Sequence, residues 1–357
     1  MRKIVFSLGF VFVSLVGFSQ KHQFTDVVNL ECSSVKSQGR TGTCWSFSTS
    51  SFLESEIKRI SGKDIDVSEM YTVRNTYPKK AWNYVMRQGK AQFSEGGLAH
   101  DVINSVAGFG LVPESSFSGL KTGIFRHNHA EMVAVLKGML DVYIKNPARK
   151  LSSRWKKVIN AVLDIYLGEN ITNFTFEGKN YTPKSFQKML GIKTENYVTI
   201  TSFTHQPYYT KFILNIPDNF SNGSMYNVTL DKFEQVIIEA LKKGFTVALD
   251  VDVSEKGFSS KKGVATTNKK QITSKYRQQE FENYTTTDDH LMHIIGLAKD
   301  QKGGLYFKTK NSWGSKGKRI AYGGFVYISS SYIRLKAISV MVHKDALSKK
   351  LKTTLKM

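Results

Sequence analysis

The stretch Gln38-Gly39-Arg40-Thr41-Gly42-Thr43-Cys44-Trp45-Ser46-Phe47 decides how this chain is read. It joins a glycine-rich turn to an expected helix whose first turn carries Cys44. Unpaired N–H groups and the helix dipole favour negative charge at a helix N-terminus, so a thiol placed there is biased toward the nucleophilic thiolate. The ordinary alternative is an inert buried cysteine, and the stretch alone leaves both open. Beyond Cys44, Trp45, Phe52, Leu53, Ile57 and Ile60 keep a mostly helical spacing with one buried face, and Gly62 is placed to stop the helix.

On the N-terminal side, Arg2 and Lys3 precede the apolar run Ile4 to Val16 and then Gly17-Phe18-Ser19-Gln20. This pattern reads as a secretory signal over 1–20, with a mature chain exported to the periplasm or the exterior. Residues 21–37 read as an extended lead-in anchored by Val27, Val28 and Leu30. The chain has two cysteines, Cys32 and Cys44. Their one possible intrachain bridge would consume a nucleophile, so two free thiols are expected, with Cys32 structural. The formal net charge of +22 suits association with polyanions. The basic residues are scattered except near Lys349-Lys350-Leu351-Lys352, and no finger or RNA-binding signature accompanies them, so no specific nucleic-acid reader is indicated.

On the C-terminal side, Ser68 can cap a second helix, and an apolar helical run follows from Leu98 to Val106. Residues 125–168 read as two amphipathic helices broken at Pro147. Residues 170–228 read as irregular strands and loops. The last third changes character: a helix from Leu230 to Lys243, then strands at Phe245–Val251, His290–Leu297, Leu305–Lys310 and Gly324–Ile328. A helical first half and a strand-rich last third imply an α+β protein of two lobes.

A cysteine nucleophile needs a base, a group to orient the base and donors for an oxyanion, all brought together in space rather than in sequence. His290 follows Asp289 at the start of a strand, Asn311 closes the next strand, and the Gln38 side-chain amide lies across the glycine turn from Cys44. His293 competes with His290, but residues 290 and 293 of one strand point to opposite faces. The two histidines with His127 and His129 lack the spacing of a metal site, and no cofactor is implied.

Gln38-Gly39-x-x-Gly42-x-Cys44-Trp45-Ser46-Phe47, Ser94-Glu95-Gly96-Gly97, Asp289-His290 and Asn311-Ser312-Trp313-Gly314 resemble, in this order, the motifs of the papain-like cysteine peptidases. Thr41 stands where the secreted papain group carries a disulfide cysteine. Too few residues precede Gln38 for an inhibitory prosegment, and extra residues lie between Gly97 and His290. These features are closer to the bleomycin hydrolase or aminopeptidase C branch, which is mostly cytosolic and usually longer. The resemblance implies a papain-like two-lobed fold, a helical lobe plus an antiparallel β-barrel-like lobe, with an insertion. The peptidase domain is expected over 21–345, with a helical lobe at about 38–120, an inserted region at about 121–228 and a β-rich lobe at about 229–345, followed by a basic tail over 346–357.

The resemblance also implies roles. Cys44 is the nucleophile, His290 its ion-pair partner and later proton donor, Asn311 the group that orients His290, and Trp313 its shield. Gln38 supplies an oxyanion donor, and Gly96 and Gly97 bind the substrate backbone. The substrates are peptides, the action that of an aminopeptidase more than an endopeptidase, and homo-oligomers occur in the branch. There the chain's own C-terminus lies in the cleft and anchors the substrate's amino group. A non-catalytic basic binding protein on the same fold is the competing reading, and keeping all four catalytic groups argues against it.

Overall fold

The helix that begins at Cys44 runs along one face of a large sheet, and the remaining elements build out from that contact. The computed structural model describes residues 23–146, 150–269 and 271–357. The segment read as an export signal and the break read at Pro147 lie outside them. After β1 (Phe24–Asn29) come α1 (Cys44–Ser61), α2 (Glu69–Met86), α3 (Ala99–Phe109), α4 (Ala130–Ile144) and α5 (Trp155–Tyr166). A small hairpin of β2 (Phe174–Phe176) and β3 (Lys179–Tyr181) leads to α6 (Pro183–Met189), β4 (Tyr197–Thr201), β5 (Lys211–Ile213) and β6 (Ser224–Asn227). Then follow α7 (Leu230–Lys242), β7 (Val247–Val251), β8 (Phe258–Ser259), β9 (Val264–Ala265), α8 (Ser274–Glu282), β10 (His290–Asp300) and β11 (Leu305–Lys310). The chain closes with β12 (Phe325–Ser329), α9 (Ser330–Lys336), β13 (Ala337–His343) and α10 (Lys349–Thr354).

Local chemistry sets the ends of the helices that matter for the site. Gly62 takes the left-handed conformation, φ +71°, and its N–H returns to the Lys58 carbonyl at 2.8 Å, ending α1 where the sequence places the stop. Ser68 Oγ accepts the Tyr71 N–H at 2.9 Å and starts α2.

The sheet runs β5-β6-β4-β13-β7-β10-β11-β12-β9-β8, with β1 added against β10. Most pairings are antiparallel; β4–β6 and β9–β12 are parallel. Among the described residues the pairings run from β5 to β8 without joining the two end strands. One face meets the helices: Leu291 and Ala248 join Trp45, Phe52, Leu53 and Val102 in a common core. The other face, with Met292, Ile294, Leu249 and Val340, is covered by Phe233 and Ile237 of α7.

Three elements depart from the sequence reading. β13 lies at the centre of the sheet between β4 and β7, although Ile338, Val340 and Val342 follow a short helix without a turn residue to announce the change. α6 is built on Thr182, whose Oγ1 accepts the Ser185 N–H at 3.1 Å. The stretch read as a basic tail is largely helix α10, with Leu351 and Leu355 buried in the α7 core. The expected insertion divides between the lobes: Met132, Leu136, Trp155 and Leu163 of α4 and α5 enter the helical core, whereas β4, β5 and β6 extend the sheet.

Candidate active site

Cys44 is the first residue of α1 and is buried. The loop before it is held by its own side chains. Thr41 Oγ1 donates to the Gln38 carbonyl at 2.8 Å and lies 2.6 Å from Thr43 Oγ1. Gln38 Nε2 donates to the Thr41 carbonyl at 2.6 Å, and Gln38 Oε1 accepts from Ser312 Oγ at 2.5 Å. An amide nitrogen carries two hydrogens, so one N–H of Gln38 remains for a ligand. Thr41, a substitute for cysteine in the sequence reading, therefore has a positive function as a lock on the loop.

The second lobe brings the base. His290 opens β10, and its Nε2 lies 2.8 Å from Asn311 Oδ1 at the end of β11. That oxygen also accepts the Ser312 N–H at 2.8 Å, which fixes the amide with its oxygen toward the histidine. Nε2 must then carry the proton, leaving the lone pair on Nδ1. The Trp313 ring sits 4.8 Å from the His290 ring and covers it, although Trp313 itself is 37% exposed. The Leu291 backbone at the start of β10 acts on the Cys44 thiol and pulls its pKa down. His293 is buried, with Nδ1 2.9 Å from Ser51 Oγ, about two helical turns beyond Cys44, and belongs to the core.

Burial pushes the Cys44 thiol up to about 12; the Leu291 amide opposes this, and Asp218, Asp288 and Asp250 add to it. Burial holds His290 down to about 4, with Asn311 and Asp289 pulling the other way. Burial thus works against charging either group. The helix N-terminus is outweighed here by desolvation and three nearby carboxyl groups.

The glycine segment lies alongside. A Cβ on Gly97 would come within 3.1 Å of the Trp45 ring, and one on Gly96 would collide with the Asp218 carboxylate. Glu95 ties this segment to the Cys44 loop: its Oε2 accepts the Gly42 N–H at 2.6 Å and its carbonyl accepts Trp45 Nε1 at 2.9 Å. The Gly96 carbonyl accepts from Lys80 Nζ. Both cysteines are free thiols, and burial raises Cys32 as well. The motifs did not reveal Asp218 and Asp250, which come from the β5–β6 loop and from β7, nor Asp288. The visible signal was the doubled acid Asp288-Asp289 before His290, of which Asp289 is structural, accepting the Ser254 N–H at 3.0 Å.

Residues 88–357 match the Peptidase C1-like family, and residues 24–117 match the papain family cysteine protease group. Aminopeptidase G of Lactobacillus delbrueckii subsp. lactis is 23% identical over 90% of this chain and 83% of its own length. Aminopeptidase C of Listeria monocytogenes is 23% identical over 89% of this chain and 81% of its own length. The crystal structure of PepW from Lactobacillus rhamnosis HN001 superposes with a TM-score of 0.74 at 18% identity, covering 93% of this chain and 84% of that one, a likeness of fold. These matches correct the expectation of export. Nearly the whole chain aligns with aminopeptidases C and G, the mostly cytosolic branch, and residues 1–20 lie outside the described structure, so the export reading is withdrawn. With a match covering residues 88–357, this chain belongs to the Peptidase C1-like family of cysteine peptidases.

Proposed function

We propose that this cysteine peptidase is an aminopeptidase in which Cys44 Sγ attacks the carbonyl carbon of the first peptide bond. The observation that carries the chemistry is the His290 Nε2–Asn311 Oδ1 contact of 2.8 Å, because it leaves Nδ1 as the proton acceptor. In the attack the thiol proton passes to His290 Nδ1, and the carbonyl oxygen becomes an oxyanion held by the free Gln38 N–H and the Cys44 backbone N–H. Collapse breaks the C–N bond, and the leaving amine takes the proton from His290. Water then attacks the thioester with His290 again accepting the proton, and the acid product leaves as the thiol re-forms. Gly96 and Gly97 would present backbone to the substrate chain. The relatives named aminopeptidase C and aminopeptidase G support removal of N-terminal residues.

The test is labelling with a peptidyl epoxide followed by peptide mapping. Adduct on Cys44 and not on Cys32, blocked by a competing peptide, is expected. Modification of Cys32 alone, or none at all, would sink the assignment.

A further inference from the structure

The chain's own C-terminal segment does not reach Cys44. Leu351 and Leu355 are buried in the α7 core, on the sheet face opposite α1. Lys352 Nζ lies 3.5 Å from Asp345 Oδ1, and Asp345 acts on Arg59 near the far end of α1. Arg59 is fifteen residues along the helix from Cys44, roughly 22 Å at the helical rise. Among the described residues, α10 is thus not what faces a substrate amino group beside Cys44.

Three carboxylates from separate elements bear on the thiol: Asp218 from the β5–β6 loop, Asp250 on β7 and Asp288 before β10. Asp250 pairs across the sheet with Leu291, whose backbone acts on the Cys44 thiol, and opposite residues in an antiparallel pair sit about 5 Å apart. Asp250 is 3% exposed; one oxygen accepts from Ser339 Oγ at 3.4 Å and the other, Oδ1, has no donor. Asp288 Oδ2 is likewise buried without a donor, and its carboxyl faces Asp250. Two facing carboxyls with buried, donorless oxygens call for a positive charge between them or a shared proton. Asp218 is better provided, with Gln92 Nε2 at 3.3 Å and the buried Lys80 ammonium nearby.

We infer that Asp250 and Asp288, flanked by Asp218, form the subsite that holds the substrate's free α-amino group, a site that rests on the aminopeptidase reading above. An ammonium there donates to the two open oxygens and offsets the negative charges that oppose the Cys44 thiolate. It also places the first peptide carbonyl, one carbon further along the substrate, against the sulfur.

The experiment compares kcat/KM for aminoacyl coumarin amides with a free or an N-acetylated terminus in wild type, Asp250→Asn and Asp288→Asn, using the same enzyme preparations for epoxide labelling at Cys44. Wild type should favour the free amine, and each variant that still labels should lose that preference by at least about tenfold, mostly through KM. Asp288 is on a loop, so its variant remains informative if the buried Asp250 change unfolds the chain. A wild type indifferent to acetylation overturns the aminopeptidase reading and the subsite together. A selective wild type whose variants stay selective overturns the subsite alone. Loss confined to substrates with Lys or Arg side chains, whatever their terminus, moves the cation to the side chain and also overturns the assignment.

Discussion

Asn311 has two acceptor duties on one oxygen, to His290 Nε2 and to the Ser312 N–H, and the second keeps the first from being lost by an amide flip. Asn311→Ala should therefore free the imidazole to rotate or change tautomer and lower kcat by about 10²-fold or more with KM little altered, as steady-state kinetics would show. Gln38→Ala should also lower kcat, by about 10²-fold, through loss of an oxyanion donor. Asp288 gives a test by pH. Burial, with Asp218 and Asp289 adding and Asp250 and the Asp218 backbone opposing, raises its carboxyl to about 7. A raised acid binds its proton more tightly in the folded chain, so ionising it costs stability as pH climbs from about 4 through 7. Asp288→Asn should thus be more stable than wild type above pH 7 and lose that advantage near pH 4, as denaturant melts at the two pH values would show. The motif residues were legible because each carries chemistry in a short fixed pattern. Asp218 and Asp250 were not, because they meet only when a loop and a strand from distant parts of the chain fold over Cys44.

At the scale of elements, α1 joins the two lobes with an unusual underside. Ser48, Ser51, Glu54 and Glu56 are all buried, so its polar residues do not mark a solvent face. Lys36 from the lead-in segment answers part of that charge, with Nζ 2.8 Å from Glu69 Oε1 and 3.9 Å from Glu54 Oε1, and with Asp66 bound at the rim. Lys310 adds donors to Ser51 Oγ at 2.8 Å and Ser33 Oγ at 2.9 Å. Lys36→Met should cost about 3 kcal/mol at pH 8 because it strands buried carboxylates. Burial raises Glu54, Glu69 and the neighbouring Glu114 to about 7 each, so those groups can take up protons and the penalty should shrink at pH 5. Equal penalties at the two pH values would contradict this account. Apolar spacing was enough to find α1, the helices of 125–168 and β10 and β11. It could not show that the polar side of α1 is also covered, since that depends on cations delivered from segments before and after it. β13 was missed for a related reason: its buried residues abut α9 directly, with no punctuation in the sequence.

In the whole molecule, the sheet separates two tasks. Its end at the start of β10 carries the base and the acidic subsite, while the face away from α1 is closed by α7 and α10. Leu355→Ala in α10 should destabilise the fold by about 2–4 kcal/mol as a core truncation. Deleting Lys356 and Met357 should leave the free-to-acetylated substrate ratio unchanged, because these residues lie away from the cleft. The account's central claim is that hydrolysis runs through the Cys44 thiol poised between α1 and β10. Its most direct measurement is release of the N-terminal residue from a free-amine dipeptide by wild type and by Cys44→Ala at equal folded concentration. The account predicts turnover by wild type and a loss of at least about 10³-fold in the variant. Equal rates from both proteins would contradict it.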